Sequence, residues 1–248
     1  MILLFDIGNT NIVLGVSDGE KILSSYRYHS LTTKTAHEFY LSMKDILNEH
    51  QYEDAVISSV VPILTSAIKK MVKDYLNIEP MILGNGLKTG IEIKTVNPKE
   101  VGADLVAASA GAYSKYNKSS VIVDLGTASK ILYVEKNMLK GAIIMPGVKT
   151  SMKSLVNNTA LLPSIEMAVP KNVLGTNTID AMQSGVTYGV AASIDGLVRK
   201  IKKEVKDDFI LIGTGGLSKL IIPLCEEEFI LDPNLILDGL LYIYHKNK

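Results

Sequence analysis

The fold is decided by residues 2–28, which read ILLFDIGNTNIVLGVSDGEKILSSYRY, and by residues 119–145, which read SSVIVDLGTASKILYVEKNMLKGAIIM. Each stretch consists of an apolar run, a short turn containing Gly and Thr, a second apolar run, a polar turn and a third run. Runs of this length between turn residues are typical of a three-stranded antiparallel meander. The same unit therefore occurs twice, which predicts two similar halves.

Helices and strands alternate after each meander, which predicts an α/β protein. The predicted elements are a helix over 36–50, a strand over 54–61 stopped by Pro62, a helix after it, a strand over 80–84, a Pro-Gly turn at 146–147, helical stretches to about Lys206, a strand over 209–216 and a helix from Leu235. We predict two domains, residues 1–115 and 116–248, with a ligand-binding cleft between them.

Composition favours a cytoplasmic protein that binds small molecules or other proteins. The 248 residues include 26 Lys+Arg and 26 Asp+Glu, so the net charge is +0, and this balance argues against nucleic-acid and membrane partners. The only cysteine, Cys225, cannot form an internal disulfide or a thiolate metal cluster. The apolar start ends at Asp6, which is too short for a signal peptide, and no apolar stretch reaches about 18 residues.

The turns of the two meanders carry similar side chains. In Asp6-Ile7-Gly8-Asn9-Thr10, glycine allows an anion to approach the backbone, and Asn and Thr add short donors. A phosphate beside Asp6 requires a hard cation such as Mg²⁺ between the two negative charges. The alternative is an ordinary hairpin turn. Because Asp124-Leu125-Gly126-Thr127-Ala128 repeats the pattern, we favour two hairpins that hold a triphosphate.

Two further segments suggest chemistry. Gly215 and Gly216 follow a strand and could admit the adenosine of ATP at a helix N-terminus, although Gly-Gly also closes many plain turns. Asp104 lies where a helical run begins, so it is either an N-cap or first-turn carboxylate or a base that accepts a proton from a substrate hydroxyl.

Eight segments resemble those of type III pantothenate kinases, in the same order and over nearly the whole chain. They are DIGNTNIVLGV, ISSVVP, NPKEVGAD, DLGTA, GAIIMPGV, GTNTIDAMQSG, TGGLSKLI and LDPNLILDGL. That family belongs to the acetate and sugar kinase, Hsp70 and actin superfamily. The resemblance therefore implies duplicated ribonuclease-H-like (actin-like ATPase) domains with ATP in the cleft between them.

The resemblance also implies an activity, which is ATP-dependent phosphorylation of pantothenate to 4′-phosphopantothenate, the first step of coenzyme A biosynthesis. It implies Mg²⁺, a monovalent cation (K⁺ or NH₄⁺) and a homodimer with its active site at the interface. The residues expected at ATP are Asp6, Ile7, Gly8, Asn9, Thr10, Asn11, Ile12, Val13, Thr127, Gly215 and Gly216. The metal ligands expected are Asp6 for Mg²⁺ and Asp124 for the monovalent cation. The substrate residues expected are Thr95, Gly102, Ala103, Asp104, Leu105 and, from the partner subunit of the dimer, Thr178, with Asp104 as the catalytic base.

The sequence departs from the family pattern at four positions near the substrate and nucleotide residues. Leu105 replaces an arginine expected to hold the substrate, which costs about 1.5 to 3 kcal/mol if a charge-assisted hydrogen bond is lost. Thr95 replaces an aromatic residue, and Ser129-Lys130 replaces Thr-Thr. Lys130 either supplies replacement positive charge or is solvated.

These departures leave three hypotheses. The protein is a divergent pantothenate kinase, a related kinase for another small-molecule alcohol, or a non-catalytic nucleotide-binding regulator resembling Bvg accessory factor. The retained Asp104 argues against the regulator, because a protein without kinase activity has no catalytic need for that carboxylate.

Overall fold

The computed structural model describes residues 1–84 and 86–248. The chain divides into two compact units. The first contains Met1–Asn117, Asn137–Leu139 and Asn234–Lys248, and the second contains Lys118–Lys136 and Lys140–Pro233. The first unit is therefore discontinuous in sequence.

The first unit begins with the predicted meander, which is confirmed. Its elements are β1 (Ile2–Ile7), β2 (Asn11–Ser17), β3 (Ile22–His29), α1 (Ala36–Leu47), β4 (Asp54–Ser59), α2 (Pro62–Leu76) and β5 (Met81–Ile82). The strands form one sheet in the order β3-β2-β1-β4-β5. The meander is antiparallel, whereas β4 lies parallel to β1 and β5 lies parallel to β4.

Local sequence signals fix the ends of α1 and α2. Thr35 and Glu38 form a reciprocal capping box that satisfies free N–H groups at the start of α1. Pro62 occupies the first turn of α2, where its missing N–H costs nothing, and α2 ends at Asn77 in the left-handed conformation. Apolar residues of both helices join those of β1, β2 and β4 in one buried core.

Two more helices complete the first unit, α3 (Ala103–Tyr116) and α7 (Leu235–Asn247). They pack against each other, and α7 also contacts β1 and β4. A Cβ at Gly111 would overlap the Leu235 carbonyl oxygen, and a Cβ at Gly239 would overlap that of Ala107. Only glycine allows the two backbones to approach this closely.

The second unit contains the second predicted meander, which is also confirmed. Its strands are β7 (Ser120–Leu125), β8 (Ala128–Glu135), β9 (Met138–Pro146), β10 (Ile210–Thr214) and β11 (Ile230–Leu231). Their order is β11-β10-β7-β8-β9, and β10 lies parallel to β7. The short β6 (Glu92–Ile93) pairs with the first two residues of β9, which belong to the first unit.

The helical stretches predicted before Lys206 are α4 (Val148–Asn157) and α5 (Thr178–Val205). Residues 158–177, which contain Pro163, Pro170 and Gly175, form no regular element. A four-residue helix, α6 (Ser218–Ile221), follows β10. No helix within the described ranges has the length and apolar character needed to cross a bilayer.

Candidate active site

The first hairpin turn is anchored from behind by Ser30. The Ser30 hydroxyl donates a hydrogen bond to the Gly8 carbonyl at 2.6 Å, and the Ser30 N–H donates to the Thr10 carbonyl at 2.9 Å. Asn9 and Thr10 are exposed, and Asp6 is half-buried at the end of β1. The arrangement fixes the backbone of the turn and leaves polar side chains at its tip.

The predicted ATP-contacting stretch from Asp6 to Val13 divides into two kinds of residue. The side chains of Ile7 and Ile12 are fully buried in the core, so these two residues could reach a ligand only through their backbone. Asn11 and Val13 are half-buried. A carboxylate beside exposed amide and hydroxyl groups fits Mg²⁺ carried by nucleotide phosphates, since Mg²⁺ commonly uses one or two protein carboxylates.

Val60, the residue after β4, lies next to both the turn that follows β1 and the start of α3. The Val60 N–H donates to the Ile7 carbonyl at 3.1 Å. A Cβ built at Gly102 would lie 3.5 Å from Val60 Cγ1 and 2.5 Å from Asp104 Oδ1. Val60 therefore brings the Asp6 turn and the Asp104 segment to the same edge of the first unit's sheet, at the carboxyl ends of the parallel strands β1 and β4.

Asp104 occupies the first turn of α3, as one of the sequence alternatives predicted. The N-cap is Gly102, and Asp104 Oδ1 accepts a hydrogen bond from the Leu105 N–H at 2.9 Å. Ala103, Asp104 and Leu105 are all half-buried. A negative charge is favourable at this end of a helix, so the position is stable without any catalytic role.

Two of the buried hydroxyls that lack a hydrogen-bond partner within the part of the chain that the structure describes belong to the first unit. One is Thr95 Oγ1, at a predicted substrate position. The other is Ser58 Oγ, and Ser58 is the neighbour of Asp6 across the parallel β1–β4 pair. Ser58 and Val60 lie in the ISSVVP motif but carry no local signal that predicts a role at the site. Pairing of β4 with β1 places Ser58 beside Asp6, and the hydrogen bond from the Val60 N–H to the Ile7 carbonyl fixes Val60 just beyond the end of β4.

The second hairpin turn carries a buried ion pair. Lys130 Nζ lies 2.9 Å from Asp124 Oδ2, and the two side chains are 17% and 8% exposed. The two residues are directly opposite each other in the antiparallel β7–β8 pair. The sequence alternative of a solvated Lys130 is therefore wrong.

The Pro-Gly turn supports the tip of this hairpin. Thr127 is exposed, and its carbonyl accepts a hydrogen bond from Thr150 Oγ1 at 3.1 Å. A Cβ at Gly147 would overlap the same carbonyl oxygen, so glycine is required at that position.

Gly215 lies against Asp124 within the second unit. Its φ of +90° suits glycine, and a Cβ there would overlap both Asp124 Oδ1 and the backbone of Leu125. Gly216 is exposed. The following helix, α6, is a single turn, so the adenosine prediction rests on the glycine turn and not on a long helix.

Thr178 is exposed at the first position of α5, whose N-cap Asn177 accepts from the Asp180 N–H at 2.9 Å. It lines an open groove of about 590 Å³ in the second unit. The predicted site residues are divided between the two units. The first unit contains Asp6, Thr95, Gly102 and Asp104, and the second contains Asp124, Thr127, Thr178 and Gly215.

Neither a reactive cysteine nor a cluster of metal-binding side chains is found among the described residues. Burial raises the pKa of the Cys225 thiol to about 12, so it is protonated and unreactive near neutral pH. Among residues 1–84 and 86–248, no group of three or more His, Cys, Asp or Glu side chains could hold a metal ion.

A repeated hairpin with an aspartate at its start, a glycine turn beside the second aspartate and a helix-start carboxylate are the features from which the sequence predicts an ATP-dependent kinase. The solved structure of a Sinorhizobium meliloti protein described as a 2-dehydro-3-deoxygalactonokinase has a TM-score of 0.66 at 12% identity, with 99% of this chain and 96% of that chain covered. A Campylobacter jejuni protein described as a Baf family transcriptional activator has a TM-score of 0.61 at 22% identity, with 99% and 98% covered. Such structural neighbours confirm the predicted fold, α/β with duplicated ribonuclease-H-like domains.

The sequence comparisons are more specific. The model of the type III pantothenate kinase family matches residues 2–200. The type III pantothenate kinase of Acholeplasma laidlawii (strain PG-8A) is 42% identical over 247 residues, which cover 100% of this chain and 99% of that protein. The chain belongs to the type III pantothenate kinase family, and the predicted resemblance is confirmed.

Proposed function

We propose that this protein transfers the γ-phosphoryl group of ATP to the primary hydroxyl of pantothenate, giving 4′-phosphopantothenate in cytoplasmic coenzyme A biosynthesis. The observation that carries the proposal is the junction at Val60, which holds the Asp6 turn and the Asp104 segment at one sheet edge. A phosphate-binding turn beside a carboxylate is what in-line transfer to a hydroxyl requires. The name of the relative with 42% identity supports pantothenate as the acceptor.

Residues of both hairpins would bind ATP. Asp6 would hold Mg²⁺, and the turn from Gly8 to Thr10 would meet the phosphates. In the second unit, Thr127, Gly215 and Gly216 would complete the nucleotide site. When bound, Mg²⁺ neutralises phosphate charge, and the protein contributes mostly positioning and fixed dipoles.

Asp104 would orient the pantothenate hydroxyl and accept its proton as the new O–P bond forms and the bond from phosphorus to the ADP oxygen breaks. Its carboxylate accepts a hydrogen bond from the Leu105 N–H, and the absence of a side chain at Gly102 leaves room for this orientation. Gly102, Ala103, Leu105 and Thr95 would line the substrate site. Thr95 Oγ1, buried without a partner in the described part of the chain, offers a polar group that a bound substrate could satisfy.

The active unit would be a homodimer in which Thr178 reaches the substrate site of the other subunit. Apolar side chains in the irregular segment that precedes Thr178 are strongly exposed, including Leu161 at 91% and Leu174 at 85%. Along α5, the small residues Ala181, Gly185 and Gly189 also face solvent. An apolar surface of this kind suits burial against a second copy of the chain.

The test is a coupled ADP-release assay with Mg-ATP and pantothenate, with the product identified by mass spectrometry. Asp104→Asn should lower turnover by at least about a hundredfold, because the proton acceptor is lost, while Mg-ATP binding stays within about twofold. Asp45→Asn, an exposed position on α1, serves as the matched control and should leave turnover unchanged.

The assay also separates the remaining hypotheses. Half-buried Leu105, in place of the family's arginine, specifically favours a different acceptor, so other small alcohols are assayed beside pantothenate. Turnover with one of these alone would identify a related alcohol kinase. ATP binding without turnover on any acceptor would identify a non-catalytic regulator.

A further inference from the structure

The Asp124 carboxylate is buried and needs a positive partner. Asp124 as a whole is 6% exposed, and a buried carboxylate remains ionised only when it is paired or well hydrogen-bonded. The ammonium group of Lys130 supplies that charge at 2.9 Å. The monovalent cation that the family resemblance predicts beside Asp124 would serve the same purpose.

Strand register explains how Lys130 reaches this place. Asp124 and Lys130 are paired residues of β7 and β8, and paired residues project to the same face of a sheet. In the first hairpin the corresponding partner of Asp6 is Val13, which carries no charge. The lysine is therefore a feature of the second hairpin alone.

The residues present do not fit an additional monovalent cation on this carboxylate. A K⁺ ion would have to share Asp124 with an ammonium that already contacts it, and two positive charges that both contact one buried carboxylate repel each other strongly. Moving Lys130 away would cost free energy, because its side chain is mostly buried and Asp124 would lose the charge of that partner.

We propose that Lys130 takes the place of the monovalent cation, so that phosphoryl transfer by this protein needs neither K⁺ nor NH₄⁺. Lys130 is then a positioning residue that fixes the charge and orientation of Asp124 in the nucleotide site. The inference rests on the proposed function for its effect on turnover, but nucleotide binding tests it separately.

The first experiment measures turnover in buffers that contain only tetramethylammonium, only K⁺ or only NH₄⁺ at equal ionic strength. The wild-type protein should keep the same turnover within about twofold in all three. Lys130→Thr should lose at least about tenfold in tetramethylammonium, the effect expected for one charge-assisted contact, and recover in K⁺ or NH₄⁺, which can enter the vacated space. Lys130→Arg should remain independent of the cation because it retains the charge.

Lys140→Thr is the matched control. Lys140 lies on the neighbouring strand β9 and pairs with Glu135 at 3.0 Å, but the two side chains are 42% and 38% exposed. Removing this solvated lysine should create no requirement for K⁺, since an exposed pair contributes little.

The second experiment needs no turnover. Calorimetric titration with a Mg²⁺ complex of a non-hydrolysable ATP analogue should give a wild-type Kd that is unchanged between tetramethylammonium and K⁺. Lys130→Thr should bind more weakly in tetramethylammonium and regain affinity in K⁺, and its Tm should rise with K⁺ but not with tetramethylammonium at equal ionic strength.

Each outcome decides the inference. Wild-type binding or turnover that rises more than about tenfold with K⁺ would overturn it. So would a Lys130→Thr variant that is folded but equally impaired in every salt, because Lys130 would then contact phosphate directly. If Lys130→Thr does not fold, Lys130→Arg and the wild-type salt response decide. Wild-type binding independent of K⁺, rescue of Lys130→Thr by K⁺ and no phosphorylation of pantothenate would together support the role of Lys130 and refute the proposed function.

Discussion

The position of the Asp104 carboxylate depends on the absence of a side chain two residues earlier. Gly102 has φ −61° and ψ 144°, which any residue can adopt, so its backbone conformation does not require glycine. The requirement is steric, because a Cβ would stand 2.5 Å from Asp104 Oδ1. The glycine thus leaves room for one orientation of a functional side chain.

Gly102→Ala should lower turnover by about ten- to a hundredfold, since the carboxylate must rotate away from its position while the helix stays intact. The melting temperature should change little, because the displaced atoms are the end of a flexible side chain. Steady-state kinetics and thermal denaturation of the variant check both points. Gly141→Ala, where a Cβ would meet nothing within 4 Å, is the control. Normal turnover of Gly102→Ala would contradict a fixed Asp104.

For single residues, the sequence predicts which residue types lie at the candidate site better than it predicts which side chains contact each other. Asp6, Asp104 and Asp124 could be placed at the ends of strands or the start of a helix from local pattern alone. The contact of Lys130 with Asp124 could not be predicted, because the face on which Lys130 lies depends on the exact length of the hairpin turn. One residue more in that turn would send the lysine to the opposite face.

The crossing of α3 and α7 is the tightest helix contact of the first unit. It uses Gly111 and Gly239, each placed where the other helix presents a carbonyl oxygen. The Ala-rich sequence of α3 permits such an approach, since larger side chains along this face would hold the helices apart.

Gly239→Ala should destabilise the protein by about 1 to 3 kcal/mol, even though alanine is the better helix former, because its methyl group would overlap the Ala107 carbonyl. Thermal denaturation should show Tm falling by roughly 3 to 10 °C. The matched variant Gly196→Ala lies in α5, where a Cβ would meet nothing within 4 Å. It should gain up to about 1 kcal/mol, and equal behaviour of the two variants would refute the steric account.

Elements with strong local signals were predicted correctly, including both meanders and the helix that begins at Leu235. The two-residue strands β6 and β11 were missed because they exist only through pairing and carry no periodicity of their own, whereas β5, equally short, lies in the apolar run 80–84 that was predicted as a strand. The packing of α7 on α3 also escaped prediction, since helical spacing identifies an apolar face but not the element that covers it.

For the whole molecule, light scattering should give a mass of twice the 27.0 kDa chain. Leu174→Asp should shift the protein toward the monomer and reduce turnover, because it places a charge in the exposed apolar surface and separates Thr178 from the second subunit. Leu41→Asp is the control, since Leu41 is 50% exposed on α1 in the first unit. A wild-type mass of one chain would contradict the proposed homodimer.

The duplicated architecture was evident from the sequence because two copies of one meander can be compared directly. The domain limits at residues 115 and 116 stay a prediction. The two compact units of the structure are not continuous in sequence, because Asn234–Lys248 belongs to the first unit although it follows the second unit in the chain. Local sequence pattern carries no information about such a return.

The return of α7 has a consequence for the newly made chain. A ribosome starts the first unit, makes all of the second and only then produces the helix that covers α3 and contacts β1. At about 5 to 20 residues per second, the unfinished surface waits roughly ten seconds for its own last helix. The unit that is begun first is therefore the one that is completed last, and until then the surfaces of α3, β1 and β4 that α7 covers stay exposed and open to aggregation.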